Sequence, residues 1–208
     1  MNLLGTSELK IPGVKVLKIE KFKDDRGYFF ESFRMSDVRK IAGFVDFNFK
    51  QSNESYSKKD VMRGMHFQWN PPMGKLVRTI RGHMVDIALD VRRYSPTYGK
   101  VIFYDMPDNK DSNFCEWIWL PPGLAHGNFF LEDTLIEYFC TSTYNPECET
   151  AISPLSNDLD FKLAYKPLVQ VFTKLKDNAI ISQKDRNGIS LGEWGKDPNS
   201  NKLMYGII

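Results

Sequence analysis

The chain has 208 residues, with 28 Lys and Arg against 26 Asp and Glu, so its formal charge is +2 when the three histidines are neutral. A single domain of this length buries roughly 70% of its unfolded surface, which is enough to fold without disulfides. The balanced charge, without a basic block, argues against nucleic acid as a partner. The cysteines Cys115, Cys140 and Cys148 are odd in number, which favours a reducing, cytoplasmic location. We expect neither a membrane span nor a signal peptide, since the apolar stretches are too short for either pattern.

Short runs of β-branched and aromatic residues recur between turn formers, which predicts an all-β protein. One short helix is predicted over 37–42, with Ser36 as its cap and Gly43 at its end. Strands at this spacing are typical of a jelly roll whose interior can hold a small ligand, with helices only at its periphery. The predicted strands cover 14–22, 27–33, 47–56, 61–67, 76–81, 84–92, 100–106, 115–120, 127–131 and 135–143.

The periodicity weakens after about residue 154, where Asn, Asp and Lys become frequent. We expect this segment to be a helical or irregular cover, and residues 195–208 to be either partly disordered or docked as a tail. The whole chain, 1–208, is therefore interpreted as one domain with a core over about 12–187 and a C-terminal tail over 188–208.

His66 lies in the predicted strand 61–67. Strict alternation of side chains would place Arg63 on the opposite face of this strand from His66. A bulge at Gly64 would re-aim one of them, so the pattern leaves open whether the two side chains share a site. Three aspartates could partner a basic histidine, and nothing in the pattern chooses among them: Asp86, Asp90 and Asp185.

Two further side chains could act on a ligand inside the predicted barrel. Lys75 follows a Pro-Pro-Met-Gly turn at the expected mouth, where its ammonium could lean over a ligand, although a solvated strand face also accommodates a lysine. Tyr138 is either a core aromatic residue or, if it faces His66 across the interior, a proton donor.

A metal site is the alternative use of histidines in a small barrel. Metal-binding jelly rolls need two histidines one residue apart, whereas Gln68 stands two positions after His66. A site built from His66, His83 and His126 would use every histidine in the chain. We therefore expect no bound metal.

Several strings of residues, taken together and in order, resemble the dTDP-4-dehydrorhamnose 3,5-epimerase family. The resemblance is nearly continuous over about residues 12–149 and then thins to ISQKD at 181–185. The gap between Tyr144 and Asp185 is longer than is usual in that family. The matching strings are DRGYFFE at 25–31, QSN at 51–53, RGMHFQ at 63–68, GKLVR at 74–78, DVRRYSPTYG at 90–99, PGLAHG at 122–127 and YNPE at 144–147.

The resemblance implies a metal-free cupin jelly roll (a double-stranded β-helix) that works without a cofactor and inverts carbons beside the C4 ketone of a nucleotide-linked 4-keto-6-deoxy sugar. By position, it assigns the base to His66, the cation near the C4 oxygen to Lys75, the proton-returning acid to Tyr138 and the carboxylate paired with the base to Asp185. It also implies substrate-binding roles for Arg26, Phe29, Glu31, Gln51, Asn53, Arg63, His126, Tyr144 and Lys184.

The expected reaction is epimerisation at C3 and C5 of a dTDP-linked sugar, from dTDP-4-dehydro-6-deoxyglucose to dTDP-4-dehydrorhamnose. Inversion of a single carbon, or action on a GDP- or CDP-linked sugar, stays open, and so do a metal-dependent cupin and a non-catalytic binding module. The presence of Tyr138 favours two-carbon inversion. The resemblance further implies a homodimer, for which the sequence suggests strand 15–20 as an exposed pairing edge.

Overall fold

The computed structural model describes residues 1–41 and 47–208. Its strands are β1 (Leu3–Glu8), β2 (Lys15–Glu20), β3 (Phe22–Asp24), β4 (Gly27–Phe29), β5 (Gln51–Ser57), β6 (Val61–Gln68), β7 (Lys75–Arg81), β8 (His83–Asp90), β9 (Val101–Pro107), β10 (Phe114–Leu120), β11 (Leu124–Phe130), β12 (Thr134–Cys140), β13 (Glu149–Ala151) and β14 (Ile180–Ile181). Its helices are α1 (Met35–Val38), α2 (Lys166–Lys176), α3 (Gln183–Arg186) and α4 (Leu191–Lys196), with short 3-10 helices at Pro146–Cys148 and Pro198–Lys202.

Within the described residues, the strands form two large sheets and one small hairpin. The first sheet has the order β1-β2-β10-β7-β12-β5, and the second has the order β13-β6-β11-β8-β9 with β14 added parallel to β6. Strands β3 and β4 form the separate hairpin. The predicted all-β jelly roll with short peripheral helices is therefore confirmed.

The core between the two sheets is apolar and fully enclosed. Val77 and Ile118 of the first sheet meet Met84, Ala88 and Phe130 of the second, and each of these side chains is at most 1% exposed. Burial of these side chains from water is the main term that holds the sheets together. One end of the space between the sheets is not filled by this core and remains open as a cavity, described below.

The C-terminal segment covers the outer face of the second sheet. Phe172 of α2 and Trp194 of α4 pack against the outward side chains Ile87 and Phe129. Leu203 near the end of the chain is completely buried. The segment after residue 154 is thus a partly helical cover, and the tail is docked rather than disordered.

The structure also corrects several sequence predictions. The strand at 15–20 is not an exposed edge, because β2 lies between β1 and β10; the prediction of it as a pairing edge was wrong. The actual edge strand β1 was missed, since its residues are largely exposed and carry no hydrophobic alternation. The strand expected over 27–33 ends at Phe29, and the one expected from 47 begins at Gln51.

The short helix expected over 37–42 is shifted towards the N-terminus and forms α1 at Met35–Val38. The last residue of that predicted helix and its expected terminator, Ala42 and Gly43, lie outside the described residues. Among the described helices, none is both long and apolar enough to cross a membrane.

A bulge in β6 settles which side chains point between the sheets. His66 pairs with His126, but Arg63 pairs with Asn128, so β6 holds one extra residue across this stretch of β11. Because His126 and Asn128 share a face of β11, His66 and Arg63 share a face of β6. The bulge at Gly64 therefore brings together two side chains that strict alternation would separate.

Glycine is required at this bulge for two reasons. Gly64 has a φ of +105°, in the region that side chains disfavour. A Cβ on Gly64 would also lie 2.6 Å from the Cα of Gly127 on β11, which is backbone and cannot yield easily. The two strands can approach this closely only because neither residue carries a side chain.

We expect Gly64→Ala to lower the free energy of unfolding by about 2 kcal/mol or more, through backbone strain and the clash with β11. Gly5→Ala is the matched control, since no atom lies within 4 Å of a Cβ at Gly5, and it should change stability by less than about 0.5 kcal/mol. Denaturant unfolding of both variants measures the difference. Equal stability of the two would contradict the role given to the bulge.

Candidate active site

The cavity between the open ends of the two sheets has a volume of about 760 Å³. Strands β5, β7 and β12 form one wall, while β6 and β11 form the other, and residues 144–149 and the β14–α3 segment complete its rim. The cavity brings together ten of the thirteen site residues predicted from the sequence: Gln51, Asn53, Arg63, His66, Lys75, His126, Tyr138, Tyr144, Lys184 and Asp185.

His66 is held between two carboxylates. Its Nε2 lies 2.8 Å from Asp185 Oδ1, and its Nδ1 contacts Glu149 Oε1. Burial lowers the pKa of His66, but the hydrogen bonds to Asp185 and Glu149 outweigh burial, so the net pKa is raised. Asp185 is thus the partner of His66, which resolves the choice among three aspartates that the sequence left open.

Asp185 is fixed by backbone as well as by the imidazole. Its Oδ2 accepts a hydrogen bond of 3.3 Å from the amide of Gly64, and its own amide donates to the side chain of Ser182, the cap of α3. Burial raises the pKa of Asp185, while its bonds to His66 and to the Gly64 amide lower it below the ordinary value overall. The carboxylate therefore stays ionised beside the ring.

Glu149 was not predicted from the sequence. It is the first residue of β13, and β13 pairs with β6 so that Ala151 faces His66. Its Oε2 accepts a hydrogen bond of 2.8 Å from Lys184, whose side chain is 58% exposed. No local signal separates Glu149 from Glu147 in the same turn, because a pairing between distant strands brings only Glu149 to the ring.

Lys75 and Tyr138 lie on the wall opposite His66. In the register of the first sheet, Cys140 pairs with Lys75 and Tyr138 pairs with Val77, so all three polar side chains enter the cavity from neighbouring strands. Burial lowers the pKa of Lys75, while nearby Cys140, Glu149 and Asp86 oppose this shift. Burial raises the pKa of Tyr138.

Lys75 has neither a hydrogen bond nor an ion pair with any residue in the described part of the chain. A buried ammonium without a partner is unfavourable, so this side chain is available for an acceptor atom of a ligand. Tyr138 likewise forms no hydrogen bond with the described residues, and its phenol stays protonated at neutral pH because its pKa is raised.

A second pair of histidine and carboxylate lies at the floor of the cavity. His126 Nε2 is 2.7 Å from Asp86 Oδ2, and the two side chains are 8% and 1% exposed. Burial lowers the pKa of His126, with Asp86 opposing the shift, so the ring is held neutral. The other oxygen of Asp86 is buried without a partner among the described residues.

The polar side chains at the rim are held in place by hydrogen bonds to their neighbours. Gln51 donates to Asn53 and accepts from the amide of Tyr144, at 3.0 and 2.8 Å. Arg63 donates to the hydroxyl of Ser57 at 2.8 Å, and its guanidinium is exposed at the cavity. With Lys184, Arg63 gives the rim two cations suited to an anionic ligand.

Three predicted binding residues do not line the cavity of this chain. Arg26, at the tip of the β3–β4 hairpin, forms an ion pair with Asp24, and its side chain is 90% exposed. Phe29 on the same hairpin is 72% exposed. Glu31 binds the amino group of Met1 and the guanidinium of Arg34. Their assignment to substrate binding stays a prediction.

The third histidine lies outside the cavity, so the three histidines do not converge. His83 contacts Asp105 at 2.6 Å and is partly exposed. The hydrogen bond to Asp105 raises the pKa of His83 more than burial lowers it. The described cavity instead combines an imidazole, an ammonium and a phenol, the groups that proton abstraction beside a carbonyl requires.

The histidine environments predict one ordering of pKa values. We expect His126 to titrate below the ordinary value of 6.5, and His66 and His83 to titrate above it. NMR titration of the ring protons measures all three in one experiment. Asp86→Asn should lower the pKa of His126 further while leaving His83 unchanged; a value for His126 above that of His66 would contradict this ordering.

Comparison with known proteins shows which family the chain resembles in sequence. The family model for dTDP-4-dehydrorhamnose 3,5-epimerase matches residues 8–193. A curated enzyme of that name from Methanothermobacter thermautotrophicus is 38% identical over 184 residues, covering 88% of this chain and 92% of the relative.

Two solved structures are similar over nearly the whole fold. The dTDP-6-deoxy-D-glucose-3,5-epimerase from Legionella pneumophila, in complex with dTDP-4-keto-L-rhamnose, has a TM-score of 0.78 and 28% identity, covering 96% of this chain and 98% of its own. A 3'-monoepimerase from Streptomyces bikiniensis, in complex with dTDP-quinovose, has a TM-score of 0.76 and 28% identity, covering 90% and 88%. The chain therefore belongs to the dTDP-4-dehydrorhamnose 3,5-epimerase family of isomerases.

Proposed function

We propose that the protein inverts C3, C5 or both in a nucleotide-linked 4-keto-6-deoxy sugar, with dTDP-4-dehydro-6-deoxyglucose as substrate and dTDP-4-dehydrorhamnose as product, and that it needs no cofactor. One observation carries the proposal: a carboxylate-bound His66 and the phenol of Tyr138 enter one cavity from opposite walls. Beside them lies the ammonium of Lys75, which pairs with none of the residues that the structure describes.

The reaction follows from the chemistry of these three groups. Neutral His66 removes a proton from a carbon next to the C4 ketone, and the electron pair of that bond moves onto the C4 oxygen. The ammonium of Lys75 stabilises the resulting enolate, which would be too unstable in an uncharged site. Tyr138 then gives its proton to the opposite face of the carbon as the ketone re-forms. The configuration is inverted, and solvent returns the phenol and imidazole to their starting protonation states.

Asp185 keeps the base in a single orientation. Its carboxylate accepts from Nε2 of His66, which fixes the ring and favours the imidazolium that forms when the substrate proton is taken. The buried ring of His126, held by Asp86, offers the sugar a hydrogen-bonding group at the floor of the cavity.

The rim supports recognition of a nucleoside diphosphate. Arg63 and Lys184 supply the charge that a diphosphate requires, and Gln51, Asn53 and Tyr144 supply hydrogen bonds and a ring for the nucleoside or the sugar. The choice of a dTDP-linked substrate is supported by the bound molecules in the two similar structures, dTDP-4-keto-L-rhamnose and dTDP-quinovose.

Inversion of one carbon is the second candidate. It is favoured by the similarity to the 3'-monoepimerase from Streptomyces bikiniensis, whose fold matches about as well as that of the 3,5-epimerase from Legionella pneumophila. Both reactions use the same enolate chemistry, so the number of inverted carbons depends on how long the sugar stays and how it turns in the cavity. Isotope exchange distinguishes the two.

We also propose that the protein acts as a homodimer in which the β3–β4 hairpin of one protomer completes the cavity of the other. The support is the exposure of Arg26 and Phe29 and their position outside their own cavity. Glu31 would anchor the base of this hairpin through Met1 and Arg34. A guanidinium and an aromatic ring brought to the rim would add a third cation and a stacking surface for the nucleotide.

In D₂O the wild type should introduce deuterium at C3 and C5 of dTDP-4-dehydro-6-deoxyglucose, as measured by NMR and mass spectrometry. Removing the base in His66→Ala should slow exchange by about 10²–10⁴-fold. Tyr138→Phe should keep exchange at one carbon and lose net inversion at one or both.

His83→Ala is the control, because His83 lies outside the cavity, and should retain wild-type exchange. Exchange by His66→Ala at the wild-type rate would reject His66 as the base, and absence of exchange by the wild type would reject the epimerase.

Subunit mixing tests the shared cavity. The variants Arg26→Ala/Phe29→Ala and His66→Ala should each be nearly inactive as homodimers. Co-expressed in equal amounts, they should recover about one quarter of wild-type activity, because each mixed dimer has one cavity with both an intact His66 and an intact hairpin. No recovery on mixing, or a monomer by sedimentation, would contradict the proposal.

A further inference from the structure

Both ring nitrogens of His66 are occupied by carboxylate oxygens. Nε2 contacts Asp185 and Nδ1 contacts Glu149. A neutral imidazole donates from one nitrogen and accepts at the other, whereas an ionised carboxylate only accepts. Two carboxylate partners are therefore satisfied only when both nitrogens carry protons. In this arrangement the ring is an imidazolium and has no lone pair with which to accept a proton.

We propose that Glu149 is a positioning residue that holds His66 in a protonated resting state and must leave Nδ1 before His66 can act as a base. This inference rests on the proposed function, in which His66 is that base. Glu149 was not among the site residues predicted from the motifs. Its departure from Nδ1 is a step that precedes proton abstraction.

Asp185 is the less mobile of the two carboxylates. Its second oxygen accepts from the amide of Gly64, its own amide is bound by Ser182, and its side chain is only 7% exposed. Moving Asp185 would leave a buried backbone amide without a partner, which is costly. We therefore expect the hydrogen bond between Asp185 and Nε2 of His66 to persist throughout the reaction.

Glu149 is held much more loosely. Apart from His66, its carboxylate has one partner among residues 1–41 and 47–208, the ammonium of Lys184, whose side chain is 58% exposed. The Glu149 side chain is itself only 10% exposed, but its partner is a flexible and largely exposed lysine, which can move with it more easily than the backbone amide that holds Asp185. Glu149 also has one more rotatable bond than an aspartate and begins a three-residue strand at the edge of its sheet.

The anionic part of the substrate provides a physical cause for the movement. A diphosphate at the rim attracts Lys184 away from Glu149 and repels the Glu149 carboxylate directly. Both effects weaken the contact with His66. As Glu149 leaves, the proton on Nδ1 passes to solvent at the rim, and the neutral ring regains the lone pair that accepts the substrate proton. The base would thus become available when a nucleoside diphosphate occupies the rim, and would stay protonated and inert in the empty cavity.

The charge around His66 determines the sign of each test. The titratable and charged groups that share the cavity with the ring come from α3, β13, β11, β6, β7, β12 and the segment after β12: Asp185, Lys184, Glu149, His126, Arg63, Lys75, Tyr138, Cys140 and Tyr144. Of the two carboxylates in contact with His66, Glu149 is the one substituted in the experiments. Removing its charge should lower the pKa of His66, and removing the charge of Lys184 should raise it, because a nearby cation disfavours the imidazolium.

The first experiment observes His66 directly, by ¹⁵N and ¹H NMR on the full-length protein without substrate. In the wild type at pH 7, both ring nitrogens should carry protons. Glu149→Gln should shift the titration of His66 to lower pH, and Lys184→Gln should shift it to higher pH. Glu147→Gln is the matched control, since it removes the same charge two residues away on an exposed side chain that forms no bond with the described residues, and it should cause no shift.

Binding of dTDP, measured by calorimetry, gives a second readout. Glu149→Gln should bind dTDP more tightly than the wild type, because it frees Lys184 and removes a repelling charge. Lys184→Gln should bind it more weakly, and Glu147→Gln should match the wild type. Unchanged binding in Glu149→Gln would overturn the proposed competition for Lys184.

The pH profile of kcat/KM links these results to turnover. Its acid limb reports the base of the free enzyme and should move to lower pH in Glu149→Gln and to higher pH in Lys184→Gln. A neutral His66 in the wild type at pH 7, or identical His66 titrations in wild type and Glu149→Gln, would overturn the inference while leaving the epimerase intact. Absence of turnover in the wild type, with the NMR shifts as expected, would instead reject the proposed function.

Discussion

The candidate site depends on the close contact between two glycines, Gly64 on β6 and Gly127 on β11. The extra residue at this bulge turns Arg63 to the same side as His66, so the cation and the imidazole share one cavity. The bulge has a second effect, because the amide of Gly64 donates a hydrogen bond to Asp185. One local departure from regular pairing therefore aims the imidazole and also anchors the carboxylate that orients it.

Among the described residues, Asp90, a buried charged group away from the site, is fully hydrogen-bonded, whereas Lys75 at the site is not. Asp90 is completely buried, and it accepts hydrogen bonds from Arg92, Ser95 and Thr97, which together fix the loop after β8. Lys75 has no such partner in the described part of the chain. An unpaired ammonium in a cavity lowers the stability of the fold. We infer that Lys75 is kept unpaired because it binds an oxygen atom of the ligand.

Much of the fold was predictable because it depends on local patterns. Alternating apolar residues and turn formers gave most strands, and the motifs of the resemblance led to ten residues that meet in one cavity. Three things were not accessible. The strand β1 is too exposed to show alternation, Glu149 is selected by the pairing of β13 with β6, and the position of Arg26 and Phe29 outside the cavity depends on the fold of the β3–β4 hairpin, which the motif match does not describe.

The position of Asp185 on the C-terminal cover links catalysis to the completion of folding. The antiparallel strands of the two sheets end with β13 at Ala151, whereas Asp185, the carboxylate that orients His66, follows the short parallel strand β14 on the segment that packs over the outer face of the second sheet. A nascent chain can thus pair its antiparallel strands before the Asp185 carboxylate reaches the imidazole. The ring is held at Nε2 only after the segment with β14 and α3 has docked, so the orientation of the base depends on that docking.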